Sequence, residues 1–193
     1  MSALALKLNK HRDRLGLKGP RAAEWLVTHG IVLPMAPNTW THSEHSIAAD
    51  ALLVARLGTG EFFLEDGIAG TTLKRISPSL DQQPPGVYPV LREDWAFDLG
   101  GEQVHDVLAQ VCNVNFAALS LDSNPLIMTL MIGVAVLVVP QRGAGGQGGV
   151  GGQAGAVGRQ YRIWCDPTFG PYLGESLGAV VSECGGSYTG VSA

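Results

Sequence analysis

Several stretches of this chain hold residue types that could do chemistry, and their spacing decides what each is worth. Gly143-Ala144-Gly145-Gly146-Gln147-Gly148 satisfies G-x-G-x-x-G. That pattern holds a dinucleotide only between a strand and a helix, where the helix N-terminus meets the pyrophosphate. Here glycine continues to Gly158 and a strand-like run follows, so the match carries no nucleotide site. His42, Glu44 and His45 give two imidazoles at H-x-x-H spacing in a polar loop. No helix fixes that pair and no third ligand accompanies it, so a solvated loop is expected rather than a metal centre. His105 and Asp106 fall on the outer face of a helix. His29 falls at a helix C-terminus, where the dipole favours an imidazole without any further role. Cys112, Cys165 and Cys184 lack C-x-x-C spacing and leave one thiol over in any pairing, which argues against a disulfide framework and a structural zinc. Cys112 after a helix and Cys165 at a strand end read as small buried hydrophobes. Asp166-Pro167 reads as a helix start, with Asp166 as N-cap. Glu93-Asp94 is an acidic pair without a partner acid or base. The sequence therefore assigns no catalytic residue and no metal ligand, and it leaves cofactor-binding residues unassigned.

The elements that would position these residues are organised by an internal repeat. Leu17-Lys18-Gly19-Pro20-Arg21-Ala22-Ala23-Glu24-Trp25-Leu26 aligns with Leu99-Gly100-Gly101-Glu102-Gln103-Val104-His105-Asp106-Val107-Leu108. Leu17 meets Leu99, Gly19 meets Gly101, Ala22 meets Val104, Trp25 meets Val107 and Leu26 meets Leu108. Each copy reads as a strand, a glycine turn and a helix with apolar residues at i, i+3 and i+4. The first helix is expected over Pro20–His29, with Gly30 as a left-handed stop. The second is expected over Glu102–Val111.

The remaining runs fill in around the repeat. Arg12–Lys18 alternates as a strand, after a short basic arm (Lys7, Lys10, His11, Arg12, Arg14) expected to be solvated. Ile31–Ser46 reads as loop. Ala51–Leu57 and Glu61–Glu65 flank Gly58-Thr59-Gly60 and read as an antiparallel hairpin. Gly67–Gly86 reads as a polar crossing between halves. Trp95, Phe97 and Leu99 alternate as a strand, as do Tyr161, Ile163 and Cys165. Pro125–Val139 is almost wholly apolar but falls short of the roughly 20 residues that span a membrane. It is expected to be one buried strand, bent at Gly133. Pro167 opens a last helix with Leu173, Leu177, Val180 and Val181 on one face, ended by Gly185-Gly186. Gly143–Gly158 is expected to be a flexible insertion joining two strands.

The sum is an α+β fold. It has two β-α-β-β repeats in a doubled ferredoxin-like arrangement, and a C-terminal helix closes it. The chain is 46% hydrophobic and only 16% charged, which leaves part of its surface for a partner chain. A net charge of −4 without a basic stripe argues against nucleic acid. With no apolar run at Met1–Leu8 to act as a signal and no spanning segment, the expected compartment is the cytoplasm, with no membrane partner.

The residues of the repeat and its surroundings also resemble a known family. Leu15-Gly16-Leu17-Lys18-Gly19-Pro20-Arg21-Ala22 with Trp25-Leu26, and Val54-Ala55-Arg56-Leu57-Gly58-Thr59-Gly60-Glu61-Phe62, carry the first part of the likeness. Leu99-Gly100-Gly101 with Leu108 and Cys112, Thr129-Leu130-Met131-Ile132-Gly133-Val134, and Ile163-Trp164-Cys165-Asp166-Pro167-Thr168-Phe169 carry the rest. Together they resemble the gamma subunit of heterotetrameric sarcosine oxidase, which is related to the folate-binding domain of the glycine cleavage T-protein. The resemblance implies one aminomethyltransferase-like domain over residues 12–183, in halves of about 12–66 and 87–183, with the insertion at 143–158. It implies a non-catalytic structural subunit of a complex that oxidatively demethylates an N-methyl amine. Its partners would be larger flavin- and folate-binding subunits of a hetero-oligomer, and FAD, FMN, NAD and tetrahydrofolate would reside in that complex. The alternative is a stand-alone transferase with tetrahydrofolate as one-carbon acceptor. The glycine insertion departs from the family pattern, which leaves open a related complex acting on another methylated amine.

Overall fold

The computed structural model describes residues 3–9, 12–43, 51–142 and 159–190. They form an α+β fold of two sheets and four α-helices. The chain divides into two compact units. One is His11–Glu93 with Asn124–Leu126; the other is Met1–Lys10, Asp94–Ser123 and Ile127–Ala193.

The unit that begins at His11 holds β2 (Arg14–Lys18), α1 (Ala22–Thr28), β3 (Thr39–Ser43), β4 (Leu52–Gly58), β5 (Glu61–Glu65), α2 (Thr72–Ile76) and β6 (Tyr88–Val90). Its sheet runs β3-β4-β5-β2-β6, antiparallel throughout. Ala22, Trp25 and Leu26 of α1 and Leu73 and Ile76 of α2 close one core with Leu17, Leu52, Val54, Phe62 and Leu64 of the sheet. The expected 52–65 hairpin is present, with β4 on β5.

The other unit holds β1 (Ala5–Leu8), β7 (Trp95–Gly100), α3 (Val104–Val111), β8 (Ile127–Met131), β9 (Val134–Arg142), β10 (Arg159–Cys165), α4 (Gly170–Glu183) and β11 (Ser187–Thr189). Its sheet runs β11-β1-β7-β10-β9-β8, with β11 parallel to β1 and every other pair antiparallel. Val104, Val107, Leu108 and Val111 of α3 and Leu173, Leu177 and Val181 of α4 pack on Phe97, Leu99, Val138, Tyr161 and Ile163.

The repeat holds residue by residue. Leu17, Leu99, Ala22, Val104, Trp25, Val107, Leu26 and Leu108 are all buried. Gly19 and Gly101 share the same unusual backbone, at φ 129° and 122°. Only glycine takes that conformation without strain. Each accepts a hydrogen bond three residues on, Ala22 N to Gly19 O at 3.2 Å and Val104 N to Gly101 O at 3.3 Å. Those turns absorb Pro20 and Glu102, so each helix begins two residues later than the periodicity predicts. Gly30 and Gly185, both at φ 78°, end α1 and α4 as expected.

Four expectations are corrected. The basic arm is not simply solvated, because β1 lies between β7 and β11 with Leu4 and Leu6 buried. A four-residue strand with one lysine shows its face only once a partner strand is known. Ile31–Ser46 is not all loop; β3 crosses it, burying Trp40 and Ser43. Gly67–Gly86 is not a plain crossing, because α2 and a 3-10 turn at Ser77–Leu80 bury Leu73, Ile76 and Leu80. Pro125–Val139 is not one bent strand. It is the β8–β9 hairpin, turning at Ile132 (φ 50°) and Gly133 (φ 80°). Two positive φ values in a two-residue loop are the I′ geometry, which an isoleucine does not announce. Ile132 is held there by its N–H donating to Val111 O at 3.0 Å and by packing on the core. After its first helix each half therefore runs through three strands, β-α-β-β-β in place of the expected β-α-β-β.

Candidate functional site

On the face opposite the α3–α4 core, sheet register lines up one charged row. β1 places Lys7 opposite Asp98 of β7, and β10 places Arg162 on the other side of Asp98. The Arg162 fork grips the carboxylate, Nε to Oδ1 at 2.7 Å and Nη2 to Oδ2 at 2.9 Å. Asn9 Nδ2 donates to Oδ2 as well, at 3.1 Å. Arg162 is only 8% exposed, so this is a near-buried bidentate pair. Beside it lies a cavity of ≈ 210 Å³ lined by Lys7, Asp98, Gly100, Gln160 and Arg162, with Ala5 at its floor.

A second cluster joins α3 to β10. The Tyr161 hydroxyl and His105 Nε2 share a hydrogen bond of 2.7 Å, and the Arg159 guanidinium, which donates to Phe116 O at 2.9 Å and Leu119 O at 3.3 Å, stands near both. Burial lowers the His105 pKa first, Arg159 lowers it further, and Asp106 opposes them. Burial raises the Tyr161 pKa. Both groups are thereby held neutral.

The other unit carries its own buried ion pair, at a different place. Arg14 Nε meets Glu65 Oε2 at 2.7 Å with both side chains almost fully enclosed, and Arg12 Nε lies 4.0 Å from Oε1. The neighbouring Asp66 is buried and accepts from Leu73 N at 2.8 Å, which starts α2.

The sequence candidates are scattered rather than gathered. His42 lies exposed on β3, edge-on to Trp40 at 5.2 Å; Glu44, His45 and the glycine motif at 143–148 lie outside the described residues. His29 caps its helix, Nδ1 to Trp25 O at 2.7 Å and Nε2 to Ser79 Oγ at 3.0 Å, the structural role expected of it. Cys112 and Cys165 are buried, and Cys184 is partly exposed. Burial, with Asp94 and Asp166 nearby, pushes the Cys165 thiol up to about 12. Asp166 caps the turn before α4, accepting from Thr168 N at 2.8 Å. His105 departs from the reading of an exposed face, because Tyr161 engages it. Among the described residues no three His, Cys, Asp or Glu side chains could hold a metal ion. No described helix is long and apolar enough to cross a membrane.

Lys7, Asp98 and Arg162 are what sequence reading missed. Asp98 between Phe97 and Leu99, and Arg162 between Tyr161 and Ile163, look like ordinary solvent-facing alternation. An arginine set between Tyr161 and the apolar run Ile163-Trp164-Cys165 was the available signal.

The surface also carries exposed apolar side chains. β8 is the edge strand of its sheet, and Met128 and Leu130 project from it 56% and 62% exposed. In the other unit, Arg56 ties the 34–35 loop to the β4–β5 turn, Nη1 donating to Pro34 O and Met35 O and Nη2 to Thr59 O. That loop holds out Met35, 98% exposed.

No family model and no curated protein matches the sequence. Solved structures do match. The fold is similar to the glycine cleavage system aminomethyltransferase T from Bartonella henselae, with a TM-score of 0.67 and 16% identity over 98% of this chain. This chain spans about half of that one, 48%. It is also similar to heterotetrameric sarcosine oxidase from Corynebacterium sp. U-96, solved in complex with pyrrole 2-carboxylate. There the TM-score is 0.64 and the identity 21%, over 97% of this chain and 87% of that chain. The resemblance read from the repeat is borne out at the level of fold.

Proposed function

We propose that this chain is a non-catalytic, gamma-like structural subunit of a flavin- and folate-dependent complex that oxidatively demethylates an N-methyl amine. The observation that carries this reading is coverage. The chain corresponds end to end with a chain of a heterotetrameric sarcosine oxidase, 97% of one against 87% of the other. Against the aminomethyltransferase it corresponds to only 48%. Its partners are larger flavin- and folate-binding subunits in a cytoplasmic hetero-oligomer. FAD, FMN, NAD and tetrahydrofolate are held by those subunits. The exposed Met128 and Leu130 on the β8 edge give such a partner an apolar strip to cover.

The test is a tagged pull-down from the native cell, with mass spectrometry of the partners and a visible absorbance scan for flavin. Stoichiometric partners with a yellow flavin spectrum are expected, and Leu130→Glu is expected to reduce their recovery at least tenfold. A solitary colourless chain overturns the subunit reading. If that solitary chain binds tetrahydrofolate, it is instead a stand-alone one-carbon transferase, the reading that the 0.67 TM-score to an aminomethyltransferase favours.

A further inference from the structure

We propose that the cavity beside Lys7, Asp98 and Arg162 is a binding site for a small carboxylate. The first ground is charge. Arg162 occupies both oxygens of Asp98, and Asn9 adds a third hydrogen bond. An ionised carboxylate has about four lone-pair sites, so Asp98 is nearly saturated. Lys7 stands directly opposite Asp98 in the register, yet among the described residues it makes no ion pair. The row thus holds two cations against one anion, and the uncompensated charge is a lysine ammonium at the rim of a cavity.

The second ground is space and its lining. The cavity floor is made of small residues, Ala5 and Gly100. A Cβ at Gly100 would stand 3.1 Å from Gln160 Cγ and 3.4 Å from Arg159 O, so the glycine is what lets the Gln160 side chain lie across this position. Lys7, Gln160 and Arg162 line the cavity with Ala5 and Gly100. At ≈ 210 Å³ the cavity is smaller than the roughly 300 Å³ where pockets for drug-sized ligands begin. Its ligand is therefore a few heavy atoms in size, with one negative charge for Lys7 and a second acceptor for the Gln160 amide. A monocarboxylate meets those terms.

The third ground is an internal control. The repeat that lays Leu17 on Leu99 also lays Gly16 on Asp98. The strand partners of Gly16 are then Val90 and Phe63, where those of Asp98 are Lys7 and Arg162. At Gly16 a Cβ would meet Val90 Cβ at 2.9 Å and Arg92 Nε at 3.1 Å, so that row is closed by Val90 and by an arginine that lies over the Phe63 ring. The same register therefore carries Val90, Gly16 and Phe63 in one sheet and the Lys7–Asp98–Arg162 row beside the cavity in the other.

The test titrates the full-length, ¹⁵N-labelled chain with sodium propionate and follows the amide signals of Lys7, Gly100 and Gln160, against sodium chloride at matched ionic strength. Saturable shifts confined to those amides are expected with propionate and not with chloride. Lys7→Met, at an exposed position, should weaken binding at least tenfold, and Lys7→Arg should keep it within about threefold. Gly100→Ala should abolish the shifts by pushing the Gln160 side chain out of its place in the lining. Shifts that never saturate, shifts that chloride reproduces, or a Lys7→Met variant that binds like the parent would each overturn the site.

Discussion

The row that crosses one sheet as Val90, Gly16 and Phe63 crosses the other as Lys7, Asp98 and Arg162. One register further, the exchange reverses. Arg14 and Glu65 are paired in the first sheet, while Ala96 and Trp164 stand at the matching positions of the second. Each half thus keeps one buried cross-strand ion pair on the face away from its helices, but the two pairs sit two residues apart along equivalent strands. The core-facing positions do not drift in this way, since Leu17, Leu99, Phe62 and Tyr161 are all fully buried. The lesson is that the repeat conserves backbone and core, and leaves the second face free to differ. An apolar core constrains both halves to one solution, whereas an ion pair needs only a partner at the facing position.

The strand order makes the same point on a larger scale. β3-β4-β5-β2-β6 matches β8-β9-β10-β7-β1 strand for strand. The fifth place is filled by the strand after α2 in one half and by the N-terminal β1 in the other. β11, which follows α4, pairs beyond β1 instead.

The largest effect should come from unpairing the more deeply buried ion pair. Glu65→Ala leaves the Arg14 guanidinium enclosed without its carboxylate and should destabilise by about 4 kcal/mol. Asp98→Ala, at a carboxylate one-third exposed, should lose about 2 kcal/mol. Urea midpoints for the two variants measure the difference. Equal losses would show that burial does not distinguish the pairs.

That difference was out of reach of the sequence, and the reason is physical. Helix faces, the 52–65 hairpin and the paired glycines are local patterns, so Ala22, Trp25 and Leu26 and their counterparts could be placed on one side of a helix. Which strand lies beside which is a non-local fact. Lys7 and Asp98 are 91 positions apart and meet only through the pairing of β1 with β7. The charged row was therefore invisible while its apolar neighbours Phe97, Leu99, Tyr161 and Ile163 were readable. The β8–β9 turn escaped for another reason. Ile132 opposes its own backbone preference and is overruled by the contact to Val111.

The two glycines sharpen the comparison next. A Cβ at Gly19 would lie 2.2 Å from Gly86 O, and one at Gly101 would lie 2.4 Å from Leu4 Cα. Different neighbours close the same space, a turn in one half and the start of β1 in the other. Gly19→Ala and Gly101→Ala should each cost about 3 kcal/mol, combining backbone strain with overpacking. Thermal melts of the two variants read this directly. A loss at only one position would mean that the halves share a sequence pattern without sharing its structural cause.

The smallest expected effect concerns a difference on the helix side. His105 and Tyr161 occupy the positions that Ala23 and Phe62 fill in the other half, so the fold does not require a polar pair there. The pair should show itself in pH dependence. His105 Nε2 is tied to the Tyr161 hydroxyl at 2.7 Å and stands near the Arg159 guanidinium, which opposes a second proton on the ring. With burial, that holds the folded pKa of His105 below its ordinary value. The unfolded chain, with an imidazole pKa of about 6.5, takes up a proton as pH falls through that value while the folded chain does not. Linkage then removes stability on acidification, from about pH 6.5 down to the depressed folded pKa, and leaves it unchanged above about pH 7.5. The double variant His105→Ala, Tyr161→Phe copies the other half and removes the titrating group. Its urea stability should be lower than the parent's at pH 8 by the lost hydrogen bond, about 1 kcal/mol. The gap should narrow on going to pH 5. A gap that stayed constant would place the pH sensitivity elsewhere and reduce the His105–Tyr161 contact to a packing detail of one half.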